Sequence, residues 1–329
     1  MGMIWPEVSG RSDIRVVSSF DVMPERTGEL QQRSGARPFQ TFESFLKDAA
    51  TDVVIIATRS FEHVPMAVAA LRAGKHVIVE KPLGVDLKSV DRLLRVAEKS
   101  ECALLVRHNR RFDPPIELAK SVVKSGRIGQ VHSVQLRVAG FARRADWQTL
   151  RAFGGGQLLN WGPHVIDWAL QLVGYPARDV WADLQRVAAA GDAEDNVKIC
   201  FRGGSTGAHA DILISGAAAI GQPMFTVYGS QGALTIDGES AHVRSLDRQS
   251  VRQMKLIRAS RETPARSAKF GGNIELKWID ETLSVKGDGA QKFWDHAVAT
   301  LTRGKKFPIS LAEAREVMQV IEQARKSSR

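Results

Sequence analysis

The sequence predicts an α/β fold, in which a parallel, doubly wound sheet is followed by an α+β domain with a large, mainly antiparallel open sheet. In the first third of the chain, apolar runs of strand length alternate with amphipathic helical stretches, which is typical of parallel strands covered by helices. Beyond it, runs that alternate apolar and polar residues follow one another through glycine-containing turns. With 329 residues, the chain is also longer than one typical domain of about 100–200 residues.

The strands of the parallel sheet are indicated by β-branched residues and by the residues that end them. Residues 14–20 form a strand that stops at Asp21, and the next helix begins with Pro24, which is favourable in a first turn. Residues 52–58 are apolar almost throughout, as expected of a strand buried on both faces. Asp86 is suited to cap the helix that follows it. The predicted strands of this half are 14–20, 39, 52–58, 77–79 and 103–106, and the predicted helices are 24–34, 44–50, 62–73 and 86–99.

The pattern changes at Pro114 and Pro115, and we place a domain boundary shortly before them, which gives domains of residues 1–107 and 108–329. Gly126 can end the helix that follows these prolines. The alternating runs after it indicate strands with one solvated face. The predicted elements here are a helix at 116–125, strands at 131–138, 182–187, 196–201, 208–215, 224–229 and 233–236, and helices at 291–301 and 311–326.

Composition argues against several classes of function. The net charge is +10, but the 46 lysine and arginine residues are dispersed, and the densest stretch, residues 244–269, includes acidic residues. Because zinc-ligand spacing and aromatic RNA-binding motifs are missing, we expect neither a nucleic-acid partner nor a metal site. No run of about 18 apolar residues predicts a membrane span. Cys102 and Cys200 form no disulfide framework and residues 1–10 resemble no secretion signal, so we expect a cytoplasmic protein.

The first candidate site is Glu80-Lys81-Pro82, at the end of the predicted strand 77–79. Pro82 cannot continue the hydrogen-bond ladder, and side chains at the carboxyl ends of parallel strands line the ligand crevice of such folds. Asp21 occupies the same kind of position and could bind the ribose hydroxyl groups of a dinucleotide. Both have ordinary alternatives, namely a solvated Glu-Lys pair at a strand end and an aspartate that caps a helix.

The second candidate site is residues 154–167, Gly-Gly-Gly-Gln-Leu-Leu-Asn-Trp-Gly-Pro-His-Val-Ile-Asp. Its three glycines permit close approach of a backbone or a ligand before a helix begins. If that helix includes Asn160, then Asn160, His164 and Asp167 share one face. A single histidine on a helix is more often structural than catalytic. Pro163 fits best if the helix starts just before it, which would weaken the shared-face argument.

Together these two stretches resemble the Gfo/Idh/MocA family, the group of glucose–fructose oxidoreductase and inositol dehydrogenase. The resemblance covers nearly the whole chain, because the motifs follow the family's order and spacing. These motifs are residues 58–63, 70–82, 109–112, 154–167 and 194–196. The resemblance implies a Rossmann-type nucleotide-binding domain and an NAD(P)-dependent dehydrogenase or reductase that acts on CH–OH groups of sugars, polyols or related small molecules. It also implies a homodimer or homotetramer.

The resemblance assigns catalytic roles to three residues. Lys81 would hydrogen-bond the reacting oxygen, as a fixed cation in a dry cleft does best. His164 would be the general acid and base, since the unperturbed pKa of histidine, about 6.5, lies near working pH. Asn160 would orient Lys81 or a substrate hydroxyl group. A cis peptide bond before Pro82, often found in this motif, would fix the direction of Lys81.

The resemblance also implies two sets of binding residues. Expected to bind the cofactor are Asp21, Arg26, Thr58, His63, Glu80, Lys81 and Pro82. Expected to bind the substrate are Lys81, Asn109, Arg110, Asn160, Trp161 and His164, and candidates for either the pocket or ordinary packing are Arg111, Arg143, Arg144 and Trp147. The cofactor is NAD or NADP; Asp21 slightly favours NAD because it repels a 2′-phosphate, and Arg26 softens that preference.

The sequence departs from the family pattern in two places. Asn160 stands where the family usually has aspartate, so it supplies no negative charge beside His164. The family's first strand and G-x-G-x-x-G turn, which hold the cofactor diphosphate at a helix N-terminus, have no counterpart in residues 1–10. We therefore expect an N-terminally incomplete nucleotide-binding domain that lacks the strand between 14–20 and 52–58 and binds dinucleotides poorly.

Two other functions are compatible with the same residues. A homologue impaired in cofactor binding could be a non-catalytic sugar-binding or scaffold protein, which the missing glycine turn and Asn160 favour. An NAD-dependent glycosidase would instead use the same hydride step transiently to cleave a glycoside.

Overall fold

Short parallel strands and the helices between them build the first part of the computed structural model, which describes residues 4–247 and 276–328. The elements of this part, in chain order, are α1 (Trp5–Val8), β1 (Ser18–Ser19), α2 (Pro24–Ser34), β2 (Arg37–Pro38), α3 (Phe42–Leu46), β3 (Val53–Ile56), α4 (His63–Arg72), β4 (His76–Glu80), α5 (Leu87–Glu98) and β5 (Leu104–Arg107). Asp86 caps α5 as predicted, because its side chain accepts a hydrogen bond of 2.7 Å from Ser89 N.

The rest of the described chain combines antiparallel strands with four longer helices and a short one. Its elements are α6 (Pro114–Lys124), β6 (Val131–Ala139), α7 (Gln157–Asn160), α8 (Gly162–Val173), β7 (Ala177–Gln185), β8 (Asn196–Gly203), β9 (His209–Ser215), β10 (Phe225–Gly229), β11 (Gly232–Asp237), β12 (Ser240–Leu246), β13 (Trp278–Ser284), α9 (Gly289–Arg303) and α10 (Leu311–Ser327).

The first sheet is parallel and has the order β3-β4-β5. Its β-branched strands are buried on both faces, as their apolar runs predict. Val77 and Val79 belong to the core that contains α4 and α5, whereas Ile78 and Leu105 belong to a second core with Phe293 and other residues of α1 and α9. Because β3 and β4 are parallel neighbours, their carboxyl ends lie side by side, and they face the second half of the chain.

The predicted strand at 14–20 is much shorter in the structure, where only Ser18–Ser19 forms a strand. This strand, β1, pairs in parallel with β2 in a sheet separate from β3, β4 and β5. Ser18 Oγ lies 2.6 Å from Thr51 Oγ1, so the two sheets are neighbours. Among the described residues no strand lies between them, and β1 has no second partner that would extend it.

The second sheet has eight strands in the order β13-β12-β11-β10-β6-β9-β8-β7, and all neighbours are antiparallel except β6 and β9. Its inner face packs against α6, α8 and α10. In β8, for example, Val197, Ile199 and Phe201 are buried, and the residues between them are more exposed. The predicted fold class, a parallel sheet followed by a mainly antiparallel open sheet, is confirmed.

Strands β12 and β13 were not predicted from the sequence. β13 is an edge strand whose residues are almost all exposed, so it has no apolar alternation. β12 buries small residues such as Ala241 and Ser245, so the apolar alternation that indicates a strand is weak there too. The part of the basic stretch 244–269 that follows Asp247 lies outside the described residues.

Asn160 and His164 lie in two separate helices, as the position of Pro163 suggested. α7 ends at Asn160 and α8 begins at Gly162, with Pro163 in its first turn, where a missing backbone donor has little cost. The shared-face prediction therefore fails for Asn160, whereas His164 and Asp167 both belong to α8. Asp167 is buried in an ion pair with Arg111. That pair, together with Glu313, ties the turn after β5 to α8 and α10. Arg111 is consequently unavailable to a substrate.

Candidate active site

A cavity of about 260 Å³ lies at the carboxyl ends of β3 and β4. The first half of the chain lines it with residues that follow or end these strands, and the second half closes it with the glycine turn before α7. The lining residues that were predicted as site residues are Thr58, His63, Glu80, Lys81, Pro82 and Asn160, and Trp147 was a further candidate. The two stretches singled out in the sequence therefore meet at one cavity.

The wall formed by Gly154, Gly155 and Gly156 has no room for side chains. A Cβ atom on Gly155 would lie 2.4 Å from the Gln148 carbonyl oxygen, and one on Gly156 would lie 2.2 Å from the Glu194 carboxylate. Gly154 and Gly156 also have positive φ angles, of 72° and 104°. This wall presents backbone alone to whatever occupies the cavity.

Lys81 places a cation in this cavity. Its Nζ donates to the Asn160 carbonyl oxygen at 3.0 Å and lies 3.5 Å from Asn160 Oδ1. Burial lowers the pKa of Lys81; the Glu80 carboxylate opposes this shift and the charges of Arg110 and Arg107 add to it. Within the described residues no carboxylate lies within 4 Å of this ammonium group, so it is free to bind an oxygen of a ligand.

Glu80 is held in place by a buried arginine that sequence reasoning missed. Arg107, which is 2% exposed, forms ion pairs with both Glu80 and Glu7. Glu7 also accepts a hydrogen bond of 2.7 Å from Trp294 Nε1. Glu80 in turn accepts a bond of 3.2 Å from the Lys81 backbone N–H. Arg107 thus fixes the end of β4 from which Lys81 projects.

His63 connects the loop after β3 with the turn after β4. Its Nδ1 lies 2.7 Å from the Pro82 carbonyl oxygen, and its Nε2 lies 3.2 Å from the Thr58 carbonyl oxygen. Burial lowers the pKa of this ring, and a neutral ring donates through Nδ1 in the shorter of the two contacts. The Lys81-Pro82 peptide bond is cis, as the resemblance implied. His63 therefore holds the turn after β4 through Pro82, and its Nε2 lies against the loop after β3.

His164 is the third residue of α8 and is 5% exposed. It is not among the residues that line the cavity, and its ring is near those of Trp161 and His108, at centroid distances of 6.0 and 6.5 Å. Burial lowers its pKa well below 6.5, and the nearby charges of Lys81, His108, Arg110 and Arg107 lower it further. Its Nδ1 has no hydrogen-bond partner among the described residues. The ring is thus a neutral base with a free nitrogen.

His108 is a second buried histidine beside this ring. It follows β5 directly and is 2% exposed, and its Nδ1 also has no partner in the described chain. Burial lowers the pKa of His108 to about 4; the Asp167 carboxylate opposes this shift, and Arg111 and Lys81 add to it. No spacing rule in the sequence pairs His108 with His164, since 55 intervening residues separate them.

Replacing His108 with phenylalanine should make the protein less sensitive to acid. Histidine titrates near 6.5 when unfolded and near 4 in this fold, so only the unfolded state takes up the proton between these pH values. This difference removes about 3 kcal/mol of stability from the wild type as pH falls through that range. The free energy of unfolding in urea, measured at neutral pH and within the range, should therefore fall less steeply for His108→Phe. Equal slopes would contradict the buried neutral state of His108.

The remaining predicted residues lie around the cavity or away from it. The Arg110 guanidinium stacks 4.6 Å above the Trp161 ring and pairs with Asp113 at 3.1 Å, and Asn109 begins the same short 3₁₀ turn. Asp21 accepts a hydrogen bond of 3.0 Å from Met23 N and lies 3.5 Å from Arg26. Neither Asp21 nor Arg26 lines the cavity.

Two family models match the chain. Residues 5–108 match an oxidoreductase family with an NAD-binding Rossmann fold, and residues 116–235 match the GFO/IDH/MocA C-terminal domain. The chain belongs to the Gfo/Idh/MocA family. NAD or NADP is the cofactor of such oxidoreductases, and the predictions of family, enzyme class and cofactor are confirmed.

Individual relatives agree with this family. Myo-inositol 2-dehydrogenase of Thermotoga maritima is 28% identical over 225 residues, which are 66% of each protein. The scyllo-inositol 2-dehydrogenase (NADP(+)) IolW of Bacillus subtilis is 24% identical over 94% of this chain and 86% of its own length. Among solved structures, an NAD-binding protein from Listeria innocua has a TM-score of 0.80 at 24% identity, over 99% of this chain and 91% of that one. In the described part of this family member, no helix has the length and apolarity needed to cross a bilayer.

The cavity fits one end of a dinucleotide better than the other. At the nicotinamide end, it offers the backbone wall of Gly154 to Gly156 and the unpaired ammonium group of Lys81. At the diphosphate end, the described residues supply no glycine turn between a strand and a helix, and the sequence contains no G-x-G-x-x-G. Thr58, Glu80, Lys81 and Pro82 line the cavity beside this wall.

Proposed function

We propose that this family member oxidises a CH–OH group of a sugar, polyol or related small molecule, and reduces the corresponding carbonyl in reverse. The observation that carries the proposal is the Lys81 ammonium group, which lies in the cavity between the two halves of the chain with no carboxylate partner among the described residues. The inositol dehydrogenases among the relatives support a polyol as the substrate. NAD or NADP, when bound, would accept a hydride from the carbinol carbon.

The chain's own residues account for the remaining steps. Lys81 would donate a hydrogen bond to the substrate oxygen and stabilise the negative charge that develops on it as the proton leaves. The proton would pass to the neutral His164 ring, which lies outside the cavity lining and has an Nδ1 without a partner in the described chain. Asn160, whose side-chain oxygen is 3.5 Å from Lys81 Nζ, would orient the same hydroxyl group. Arg107 and Glu80 would keep Lys81 in position during the reaction.

The pH dependence of kcat/KM for oxidation should reflect both shifted groups. A base is active above its pKa, so the lowered pKa of His164 should keep the enzyme active through and below pH 6.5. A cation is active below its pKa, so the lowered pKa of Lys81 should make the alkaline decline begin before 10.5. Initial rates across the pH range test this expectation. An acid limb centred above 6.5 would mean that His164 is not the base in the state described here.

Turnover of polyols tests the proposed function directly. The purified chain should reduce NAD or NADP in the presence of myo-inositol or scyllo-inositol, and the oxidised polyol should be the only product formed from the polyol. Calorimetry with the two dinucleotides separates weak cofactor binding from inactivity. Cofactor binding without turnover of any polyol or sugar would refute the proposed substrate class.

A second candidate function is a sugar-binding protein without catalysis. One observation favours it: Asn160, which contacts Lys81, carries no charge. In that case, a polyol should bind to the purified chain in calorimetry with the same affinity whether or not dinucleotide is present.

A further inference from the structure

A second and larger cavity, of about 540 Å³, lies on the other side of the glycine turn. Gly154, Gly155 and Leu159 line both cavities, so one short segment separates them. The larger cavity is closed by the loop after β3, by the segment after Pro82 and by the end of α10. Its volume is within the range of about 300–1,000 Å³ that is usual for small-molecule sites.

Two arginines from distant parts of the chain face this cavity. Arg151 is in the 3₁₀ turn before the glycines and Arg325 is near the end of α10. Arg325 donates one hydrogen bond, of 2.7 Å, to the Val85 carbonyl oxygen, whereas Arg151 is exposed. Neither guanidinium forms a salt bridge within 4 Å in the part of the chain that the structure describes. Both charges are therefore open to a ligand.

The acidic residue in the cavity, Glu194, does not neutralise this pair. Its carboxyl group is directed at the α7 backbone, where it accepts a hydrogen bond of 3.3 Å from Leu158 N and covers Gly156. Burial raises its pKa, and the charges of Arg325 and Arg151 oppose that shift only in part. The cavity consequently keeps a net positive charge.

Apolar side chains also line the cavity. Phe61, with 42% of its surface exposed, lines it together with Val85, Leu159 and Leu184. An exposed aromatic face beside aliphatic side chains suits the ring of a sugar or a similar body, while two guanidinium groups suit an oxyanion. The cavity thus combines the two kinds of contact that a small anionic metabolite needs.

We propose that this cavity is a second ligand site, separate from the hydride-transfer site, which binds a small molecule that carries a phosphate or carboxylate group. The oxyanion lies between Arg151 and Arg325, and the body of the molecule packs against Phe61 and Leu184. Lys81 and His164 take no part in this site.

Calorimetry with three matched probes tests the proposal. D-glucose 6-phosphate and D-glucuronate carry the two anionic groups, and D-glucose is the uncharged control. We expect at least one anion to bind the wild-type chain with an affinity at least about tenfold above that of glucose, since charge-assisted hydrogen bonds to two arginines contribute more than 1.4 kcal/mol. Equal binding of all three probes would overturn the proposal.

Variants then locate the binding. Arg151→Gln should lower the affinity for the anion at least about tenfold, and it should leave folding intact because the side chain is exposed. Arg325→Gln should have the same effect, and Arg325→Lys should restore part of the affinity. Arg92→Gln, which changes an exposed arginine on α5, is the matched control and should change nothing.

Lys81→Met distinguishes this site from the candidate active site. Anion binding should be unchanged in Lys81→Met, whatever happens to turnover. If the affinity is lost in Lys81→Met and kept in Arg151→Gln, the anion binds at the hydride-transfer site and the proposal is wrong. The calorimetric measurement of anion binding requires no turnover. It therefore still tests the second site if the dehydrogenase assay shows no activity.

Discussion

Replacing Lys81 with methionine should lower kcat for alcohol oxidation by about 100- to 1,000-fold, which is the usual effect of removing a fixed charge from a developing oxyanion. Methionine keeps the length of the side chain and suits a buried position. KM should change much less than kcat, because the charge on the substrate oxygen develops mainly in the transition state. Steady-state kinetics with the best polyol and saturating dinucleotide measure both parameters.

The control for this change is Lys120→Met. Lys120 is 38% exposed and pairs with Glu117 three residues away on α6, far from the cavity. Its replacement should leave kcat and the unfolding curve nearly unchanged. If Lys81→Met retained a kcat within threefold or so of the wild type while remaining folded, electrostatic stabilisation by Lys81 would be excluded.

Replacing Arg111 with methionine should lower the free energy of unfolding by about 3–5 kcal/mol, because it leaves the Asp167 carboxylate buried without its partner. Asp167 is 1% exposed, and Arg111 Nε donates to it at 2.9 Å. The same guanidinium also bonds Glu313 at 3.0 Å, so α10 would lose an anchor as well. Urea unfolding at neutral pH measures the difference.

The double variant Arg111→Met/Asp167→Leu should recover much of that loss, since two well-packed apolar residues can replace a buried ion pair. The exposed pair of Arg127 and Glu281 provides the contrast, and Arg127→Met should cost less than about 1 kcal/mol. Similar losses for Arg111→Met and Arg127→Met would show that burial does not determine the strength of these pairs.

The sequence was sufficient to predict the parallel strands and the meeting of the two candidate stretches. Val77, Ile78 and Val79 are β-branched and apolar, and Pro82 ends their strand, so the position of Lys81 at a carboxyl end followed from local rules. The spacing of Asn160 and His164 was less informative. The helix breaks between them at Trp161, because Pro163 is favourable only in the first turn of a new helix.

Other parts of the site depend on contacts between residues far apart in the chain. Arg107 had no visible role in the sequence, because its partners Glu7 and Glu80 lie 100 and 27 residues away. His108 approaches His164 only after α8 has packed beside the turn that follows β5. Hydrophobic periodicity contains no information about such pairs, since it reports which face of an element is buried and not what lies opposite.

The buried bridge from Glu80 through Arg107 to Glu7 and Trp294 bears on how this protein can evolve. Arg107 cannot be exchanged alone, because two carboxylates would then face one interior space without a counter-charge. Neutralising Glu7 at the same time removes one of the two unpaired carboxylates, so the effect of each substitution depends on the other. Such epistasis ties a residue at the start of the chain, and through Trp294 a helix near its end, to the lysine on which the proposed chemistry depends.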